Sequence, residues 1–395
     1  MKTYPLSLWT LVIGAFAIGM TEFVIMGLLP NVAADLHVSL AAAGQLITGY
    51  ALSVAIGGPL IVMATYRISR KKVLMLLMAI FSVGNLFAAF AANYGLLMTS
   101  RVVTALAHGS FFGLGAIMAA SLVPKNKQAS AMALMFSGLT VANILGVPFG
   151  TLIGQQLGWR ASFFIIAIIG VIALLGIFFL VPKTEQKQQS TLLKELTALK
   201  GGQIWITLLI SLFSFSSVFA FFTYVSPVLI HVTGFSEHAV ALTLVVFGIG
   251  VTIGNVIGGR LADWRLNTSL VTLLVILEVF FVFLFLIQYN PTLMVLAVFL
   301  FGVIAFAQTP ILQYRSMVFS DQAPTLSSTL NQSAMNLGNA SGAFAGGLSV
   351  AFFPLNYLAL TAPLLSLIGL ALLLIQLEQI KRKKMMETAF HSSRI

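Results

Sequence analysis

Residues 41–72 read AAAGQLITGYALSVAIGGPLIVMATYRISRKK: an uncharged run, 41–65, followed at once by Arg67, Arg70, Lys71 and Lys72. As a helix, an apolar run of this length covers about 30 Å of hydrocarbon. A basic cluster at one of its ends marks the side of the membrane where it stops. The unit recurs along the chain. Further apolar runs occupy 6–29, 73–92, 95–123, 130–154, 161–181, 203–230, 238–262, 268–288, 292–313, 325–350 and 355–377. The expected fold is therefore an all-α polytopic membrane protein of twelve transmembrane helices.

The remaining cations obey the same rule. Lys125 and Lys127 follow run 4, and Lys183, Lys187, Lys194 and Lys200 follow run 6. Arg260 and Arg265 follow run 8, Arg315 follows run 10, and Lys2 with Lys381, Arg382, Lys383, Lys384 and Arg394 lies at the two ends. Only Arg160 stands in an opposite connection, and Arg101 lies inside run 4. The positive-inside rule then predicts cytoplasmic termini. With 59% hydrophobic and 8% charged residues, the net charge of +11 is a topological signal. Its dispersal over short loops excludes a nucleic-acid-binding face. The basic run 381–384 suits the anionic lipid leaflet. No cysteine is present, so neither a disulfide framework nor a thiolate metal site can form. No metal or cofactor is expected.

The one long polar connection, 182–202, divides six spans from six. It predicts an N-terminal six-helix bundle over 1–181, a cytoplasmic linker over 182–202 with a short amphipathic stretch at 192–200, a C-terminal six-helix bundle over 203–377 and a basic tail over 378–395. An echo supports duplication: Ile56-Gly57-Gly58-Pro59-Leu60 closes run 2, and Ile257-Gly258-Gly259-Arg260-Leu261 closes run 8. Two such halves place a binding site at the membrane midplane between them.

Four motifs resemble the major facilitator superfamily in its drug:proton antiporter branch, near the bacterial sugar-efflux and purine-efflux permeases. Thr21-Glu22-Phe23-Val24 with Gly27-Leu28-Leu29-Pro30 is similar to that subgroup's opening, and Gly259-x-Leu261-Ala262-Asp263 is similar to the superfamily's loop motif. Arg101, Ala105 and Gly109 resemble the arginine motif of proton-coupled members. Gly138, Gly146-Val147-Pro148-Phe149-Gly150 and Gly154 resemble the antiporter motif. The first-half loop keeps Arg67 and Arg70 but has Tyr66 where the family has an acid and Ser69 where it has Gly; Val147 replaces a Gly. The resemblance implies a monomeric transporter of the bacterial inner membrane, gating roles for Asp263, Arg67 and Arg70, and a leak-sealing role for the kinked helix around Gly146, Pro148 and Gly150. From spacing alone, Gly146, Gly150 and Gly154 report close helix packing.

Ionisable groups inside a membrane are costly and so are functional candidates. They are Glu22, Arg101, His108 and Glu278. Glu22 lies about 24 Å up span 1 and Arg101 about 9 Å below the opposite end of span 4, at 1.5 Å per residue, so the antiparallel helices bring them to one depth. Arg101, Ala105, His108 and Phe112 share a helical face. Water access and a neighbouring cation govern whether a buried carboxyl keeps its proton, which suits Glu22 and Arg101, with His108 as relay or cavity wall, to proton coupling. A permanent structural ion pair is the competing reading. Glu278, mid-span 9, gains no role from the resemblance.

Substrate contacts are expected from polar and aromatic residues of cavity-facing helices: Gln45, Tyr50, Phe112, Asn143, Phe222, Tyr224, Asn255, Gln308, Gln332 and Asn336, with Gln313, Pro227 and Asn339 beside them. Apolar walls, several amides and one acid favour neutral or weakly charged solutes: sugars, purines or nucleosides, or amphipathic drugs. The expected function is proton-coupled efflux; a proton-coupled nutrient symporter on the same fold is the alternative. The chain has no H-E-x-x-H, nucleophile elbow or Walker loop, so neither an enzyme nor an ATP-driven pump is expected.

Overall fold

The computed structural model describes residues 4–65, 68–124, 128–183, 202–319 and 324–392, and every regular element among them is a helix. That follows from the solvent: in hydrocarbon an unpaired backbone group costs several kcal/mol, and a helix pairs its own. Among the described residues, ten helices are long and apolar enough to span. One of them, Glu237–Ile287, carries spans 8 and 9 and breaks at Arg265, whose φ of −149° and ψ of 77° leave the helical region. Pro324–Phe352 supplies span 11 with Asn331, Asn336 and Asn339 buried. The twelve spans form two six-helix bundles, as the sequence predicts. The linker residues 184–201, with the amphipathic stretch 192–200, lie outside the described residues, as do Arg67, Lys125 and Lys127.

The first span of each half ends in a break followed by a seven-residue helix; in span 1 the break coincides with the end of the expected apolar run, and in span 7 it falls inside a run expected to be continuous. Span 1 (Leu6–Gly27) stops at Leu28 (φ −105°, ψ 7°) and a short helix, Leu29–Asp35, follows. Span 7 (Gly202–Phe222) stops before Tyr224 (φ −110°, ψ 17°), and Val225–His231 follows. The same break in the first span of each half supports the internal repeat. Span 5 runs Gln128–Val141, then a π-helical turn, Ala142–Gly146, then Val147–Leu157. Pro148 supplies no N–H and crowds the carbonyl four residues before it. Widening the ladder by one residue just ahead of it relieves both.

Small residues let the helices approach. An ideal Cβ on Gly250, Gly254 or Gly258 of span 8 would collide with the carbonyls of Phe299, Val303 and Ala307 on span 10 (Pro291–Val318). On span 11, Gly338, Gly342 and Gly346 meet the carbonyls of Leu212, Ser216 and Ala220 on span 7. Without a hydrophobic drive between helices in lipid, such packing holds the bundle. The antiporter-like ridge is turned toward its own half: Gly146 faces Phe16, Gly150 faces Met20 and Val24, and Gly154 faces Leu28. Where span 5 meets the other half, Gly248 of span 8 rides directly on the carbonyl of Asn143 in the π-turn.

One charge is not where the sequence suggests. Arg315, counted with the connection after span 10, lies inside the span 10 helix and is 0% exposed. Its Nε donates to Asn267 Oδ1 at 2.9 Å and its Nη2 to Gln376 Oε1 at 2.8 Å, so neutral acceptors replace solvent.

Hydrogen bonds between the halves gather at the end remote from the termini. Asn31 Nδ2 donates to the Glu237 carboxylate at 3.2 Å, Gln155 Nε2 to the Glu237 carbonyl at 2.9 Å, and Ser226 Oγ to the Gly27 carbonyl at 3.3 Å. Tyr224, fully buried, sits between Gly44 of span 2 (Leu40–Ala64) and Gly347 of span 11, its hydroxyl donating to the Ala343 carbonyl at 3.3 Å. No Cβ fits at Gly44 beside that phenol. The remote face is thus closed. Arg160 on that face is neutralised: its Nη1 contacts Asp35 Oδ2 at 2.6 Å, and Trp159 Nε1 donates to the same oxygen at 3.1 Å. These donors hold the Asp35 carboxyl below its ordinary range. The contact is therefore intact at neutral pH and is lost only as pH falls through that depressed value.

The chain has no cysteine, so introduced pairs report this closure directly. Asn31→Cys with Glu237→Cys is expected to cross-link under mild oxidation and to block transport until reduced. Adding Gly44→Val should lower the cross-linking yield by wedging Tyr224 outward. Undiminished cross-linking in the triple variant would show that Tyr224 packing does not hold the face shut.

Candidate functional site

Glu22 lies in span 1, two turns short of the break at Leu28, where the helix carries it into the interior. Its side chain is 12% exposed, and its Oε2 lies 3.9 Å from His108 Nε2 on span 4 (Tyr94–Ser121). The other ring nitrogen, Nδ1, is 3.1 Å from the hydroxyl of Tyr50 on span 2. When the phenol donates there, the imidazole carries its proton on Nε2 and presents N–H to Glu22. Three helices thus deliver a carboxyl, an imidazole and a phenol to one connected row.

Arg101, 1% exposed, occupies the same depth, but the ion pair that the sequence allows with Glu22 is not formed. Its Nη1 donates to the Thr21 carbonyl at 2.8 Å, and its guanidinium carbon lies 4.0 Å from the centre of the Tyr50 ring. Nε and Nη2 have no hydrogen-bond partner. A cation on a desolvated aromatic face gains about 2 kcal/mol, which offsets part of what leaving these two nitrogens unpartnered costs. Thr21 is in turn fixed by Asn85 of span 3 (Arg70–Ala89): its hydroxyl reaches Asn85 Oδ1 at 2.5 Å, and Asn85 Nδ2 donates to the Phe81 carbonyl at 2.9 Å. Arg101 therefore acts on Glu22 through space, from the backbone of the residue before it.

The shared face of span 4 appears as expected. Phe112 meets His108 edge-on at 5.3 Å and stacks on Phe136 of span 5 at 5.6 Å, leaving Phe136 41% exposed. On the other side, Phe23 touches Phe219 and Phe222 of span 7 at 6.3 and 6.1 Å. Phe222 stacks on Phe247 of span 8 at 4.2 Å, which leads to Phe301 and Phe306. The residue after Glu22 in span 1 thus joins the aromatic junction of the two halves, while Glu22 itself faces His108.

The other expected contacts are dispersed. Gln308 is 0% exposed with both amide atoms unpartnered, and so is the hydroxyl of its neighbour Thr309. An unmade buried bond costs about 1–3 kcal/mol, and a ligand hydroxyl or amide could satisfy it. Asn336 and Asn339 are buried, whereas Gln332 of the same stripe is exposed. Asn143 is held in the π-turn by its bond to the Leu139 carbonyl, and Asn255 is half-buried. Gln45 lies against Gly347, next to Tyr224 in the closed remote face. Asp263 is exposed in the last turn before the break at Arg265, with no ion pair within 4 Å among the described residues. Arg70 opens the span 3 helix. Sequence reasoning missed the Thr21–Asn85 bond, although Asn85 is a polar residue in an apolar run, and missed Glu237 as the link between halves. Among the described residues no cluster of His, Asp or Glu could hold a metal.

Residues 11–328 match the model of the Major Facilitator Superfamily. The chain is 44% identical to the "Inner membrane transport protein YdhP" of Escherichia coli (strain K12), covering 94% of this chain and 95% of that protein. It is 29% identical to the "Probable sugar efflux transporter" of Helicobacter pylori (strain G27) over 91% of this chain and 92% of that one. Among solved structures, a bacterial homologue of the human lysosomal transporter Spinster, inward-facing and occupied, superposes with a TM-score of 0.76 at 17% identity over 94% of this chain and 96% of that one. A multi-pass membrane chain with this fold, matched over most of its length, belongs to the major facilitator superfamily and is a transporter of small solutes.

Proposed function

We propose that the protein is a proton-coupled efflux transporter, an antiporter that expels a neutral or weakly charged organic solute by alternating access. The observation that carries this reading is the largely buried Glu22 carboxyl of span 1, held 3.9 Å from His108, with the next residue, Phe23, meeting the second half. Exchange needs one group that holds either a proton or, through its charge, a different set of neighbours, but not the same set in both states. Glu22 meets that need: losing its proton creates a charge that His108 and Arg101 stabilise, and regaining it releases them. Export rather than uptake is supported by the span 5 motif and by the relative named for sugar efflux. A symporter would use the same carboxyl with the opposite sign of coupling.

The positive-inside distribution supports cytoplasmic termini, which makes the closed remote face the outer one and this state inward-facing. The halves are taken as 1–181 and 203–377, joined by the cytoplasmic linker 182–202 and followed by the tail 378–395 at the lipid surface. Gly146, Pro148 and Gly150 pin span 5 to span 1, and Asp263, Arg67 and Arg70 serve closure of the cytoplasmic face. Among the substrate contacts, Gln308 is the one supported by burial with an unpartnered amide; Phe112, Phe222, Asn336, Gln45, Tyr50, Asn143, Tyr224, Asn255 and Gln332 are proposed with it. Apolar walls with a few amides suit sugars, nucleobases or nucleosides, and amphipathic drugs. The transporter acts as a monomer.

Glu22→Gln copies the shape of the protonated carboxyl and cannot release a proton. In proteoliposomes it is expected to retain substrate counterflow while losing pH-gradient-driven accumulation; active accumulation by this variant would sink the coupling role. Tyr50→Phe keeps the ring under Arg101 and deletes only the hydroxyl that meets His108. Loss of one hydrogen bond of about 1 kcal/mol should slow gradient-driven efflux roughly fivefold without changing membrane abundance. An unchanged rate would remove Tyr50 from the row.

A further inference from the structure

Glu278 stands in the middle of span 9, away from the Glu22 site, and its neighbours Val275, Val279 and Val282 are exposed on the bundle surface. Its Oε1 lies 2.6 Å from Ser366 Oγ on span 12 (Pro363–Ser392), and Ser366 Oγ also lies 2.9 Å from Ser217 Oγ on span 7 and 3.1 Å from the Pro363 carbonyl. A serine hydroxyl has one proton to give. If Glu278 is ionised, Ser366 must spend that proton on it, and a bare carboxylate is left in hydrocarbon with a single donor. If Glu278 is protonated, it donates to Ser366, Ser366 donates to the Pro363 carbonyl and Ser217 donates to Ser366, so every contact is a made bond. The surrounding helices supply no counter-charge at this depth. Span 7 has no titratable residue, span 12 has none before Glu378, span 10 has only Tyr314 and Arg315 near its far end, and span 8 has only groups near its two ends.

From Ser217 a line of buried hydroxyls descends span 7: Ser214, Ser211 and Thr207, all 0% exposed, at helical spacings that keep them on one face. Ser211 bonds to Asn331 Oδ1 at 2.6 Å, and Thr207 receives Gln376 Nε2 at 3.2 Å. Gln376 in turn accepts from Arg315 near the end of the bundle that carries the termini. Ser214 Oγ is buried with no partner. Gly369 of span 12 lies over the backbone of Phe213 and Ser214.

We propose that Glu278 is a second proton-binding site of the transporter, fed from the terminus-bearing face through the hydroxyls of span 7. Rungs a turn apart stand about 5–6 Å apart at Cβ, a gap that one bridging water spans. Inward transfer is a set of hops. A proton joins Ser217 Oγ as the proton of Ser217 passes to Ser366 and that of Ser366 to the Glu278 carboxylate, leaving each hydroxyl neutral and Glu278 protonated. Outward transfer reverses the sequence. This site goes beyond the exchange at Glu22 and gives the second half of the molecule a proton of its own.

Infrared spectroscopy of the purified full-length transporter in lipid nanodiscs tests this. The wild-type spectrum is expected to contain a protonated-carboxyl band that Glu278→Gln removes and Glu22→Gln retains. On transfer to heavy water that band should shift, and Ser214→Ala with Ser217→Ala should slow the shift by about an order of magnitude or more. Ser216→Ala, whose hydroxyl bonds toward span 11 instead, should leave the rate unchanged. Ser217→Ala alone provides the same readout if the double variant does not fold. Absence of any band lost in Glu278→Gln overturns the proton site, and wild-type exchange in the serine variants overturns the route. Neither result bears on Glu22, whose failure would appear in transport and not in this band.

Discussion

A guanidinium buried in a membrane with no carboxylate in contact organises the N-terminal half. Arg101 cannot reach water and does not pair with Glu22, so it takes the Thr21 carbonyl and the Tyr50 ring. That choice fixes spans 1, 2 and 4 relative to one another and leaves the Glu22 carboxyl free to face His108. Had the ion pair formed, the carboxyl would be locked to a permanent cation and of little use as a proton carrier. The indirect geometry keeps a positive charge nearby while leaving the proton exchangeable, which is the compromise that coupling demands.

Closure of the remote face depends on a second constraint, the absence of side chains at chosen positions. Tyr224 can lie between spans 2 and 11 only because residues 44 and 347 are glycine. Span 5 and span 8 can cross at the π-turn only because residue 248 is glycine. Of the bonds from Asn31, Gln155 and Ser226 across this face, two rest on Glu237, at the N-terminus of span 8, where the helix dipole favours its charge. A face held by packing and a few polar bonds can be reopened at modest cost, as alternating access requires. The aromatic chain from Phe23 to Phe306 runs from span 1 into spans 7, 8 and 10, so a shift of span 1 at Glu22 is felt by packed rings of the second half.

Most of the fold was legible in the sequence because hydrocarbon leaves so few alternatives: uncharged runs of the right length and a one-sided distribution of cations predict span number and order. The ionisable residues were equally visible, since Glu22, Arg101, His108 and Glu278 stand out against apolar neighbours. Their partners were not. Depth along a helix is computable from residue number, but rotation about its axis is set by packing, so the same arithmetic that brought Glu22 and Arg101 to one level could not tell contact from proximity. Arg315 read as a loop cation because its helix outlasts the apolar run by a turn, and its neutral partners Asn267 and Gln376 are far away in sequence. The glycine rows of spans 8 and 11 were present at four-residue spacing, yet only the structure gives their partners.

The central claim is that substrate and proton compete through Glu22. It is tested most directly by following the pH of a weakly buffered solution of the purified transporter while sugars, nucleosides and amphipathic drugs are added in turn. The account predicts that at least one neutral solute class releases protons on binding and that the release vanishes in Glu22→Gln. A substrate that binds saturably without moving protons, or release that persists in Glu22→Gln, would contradict it.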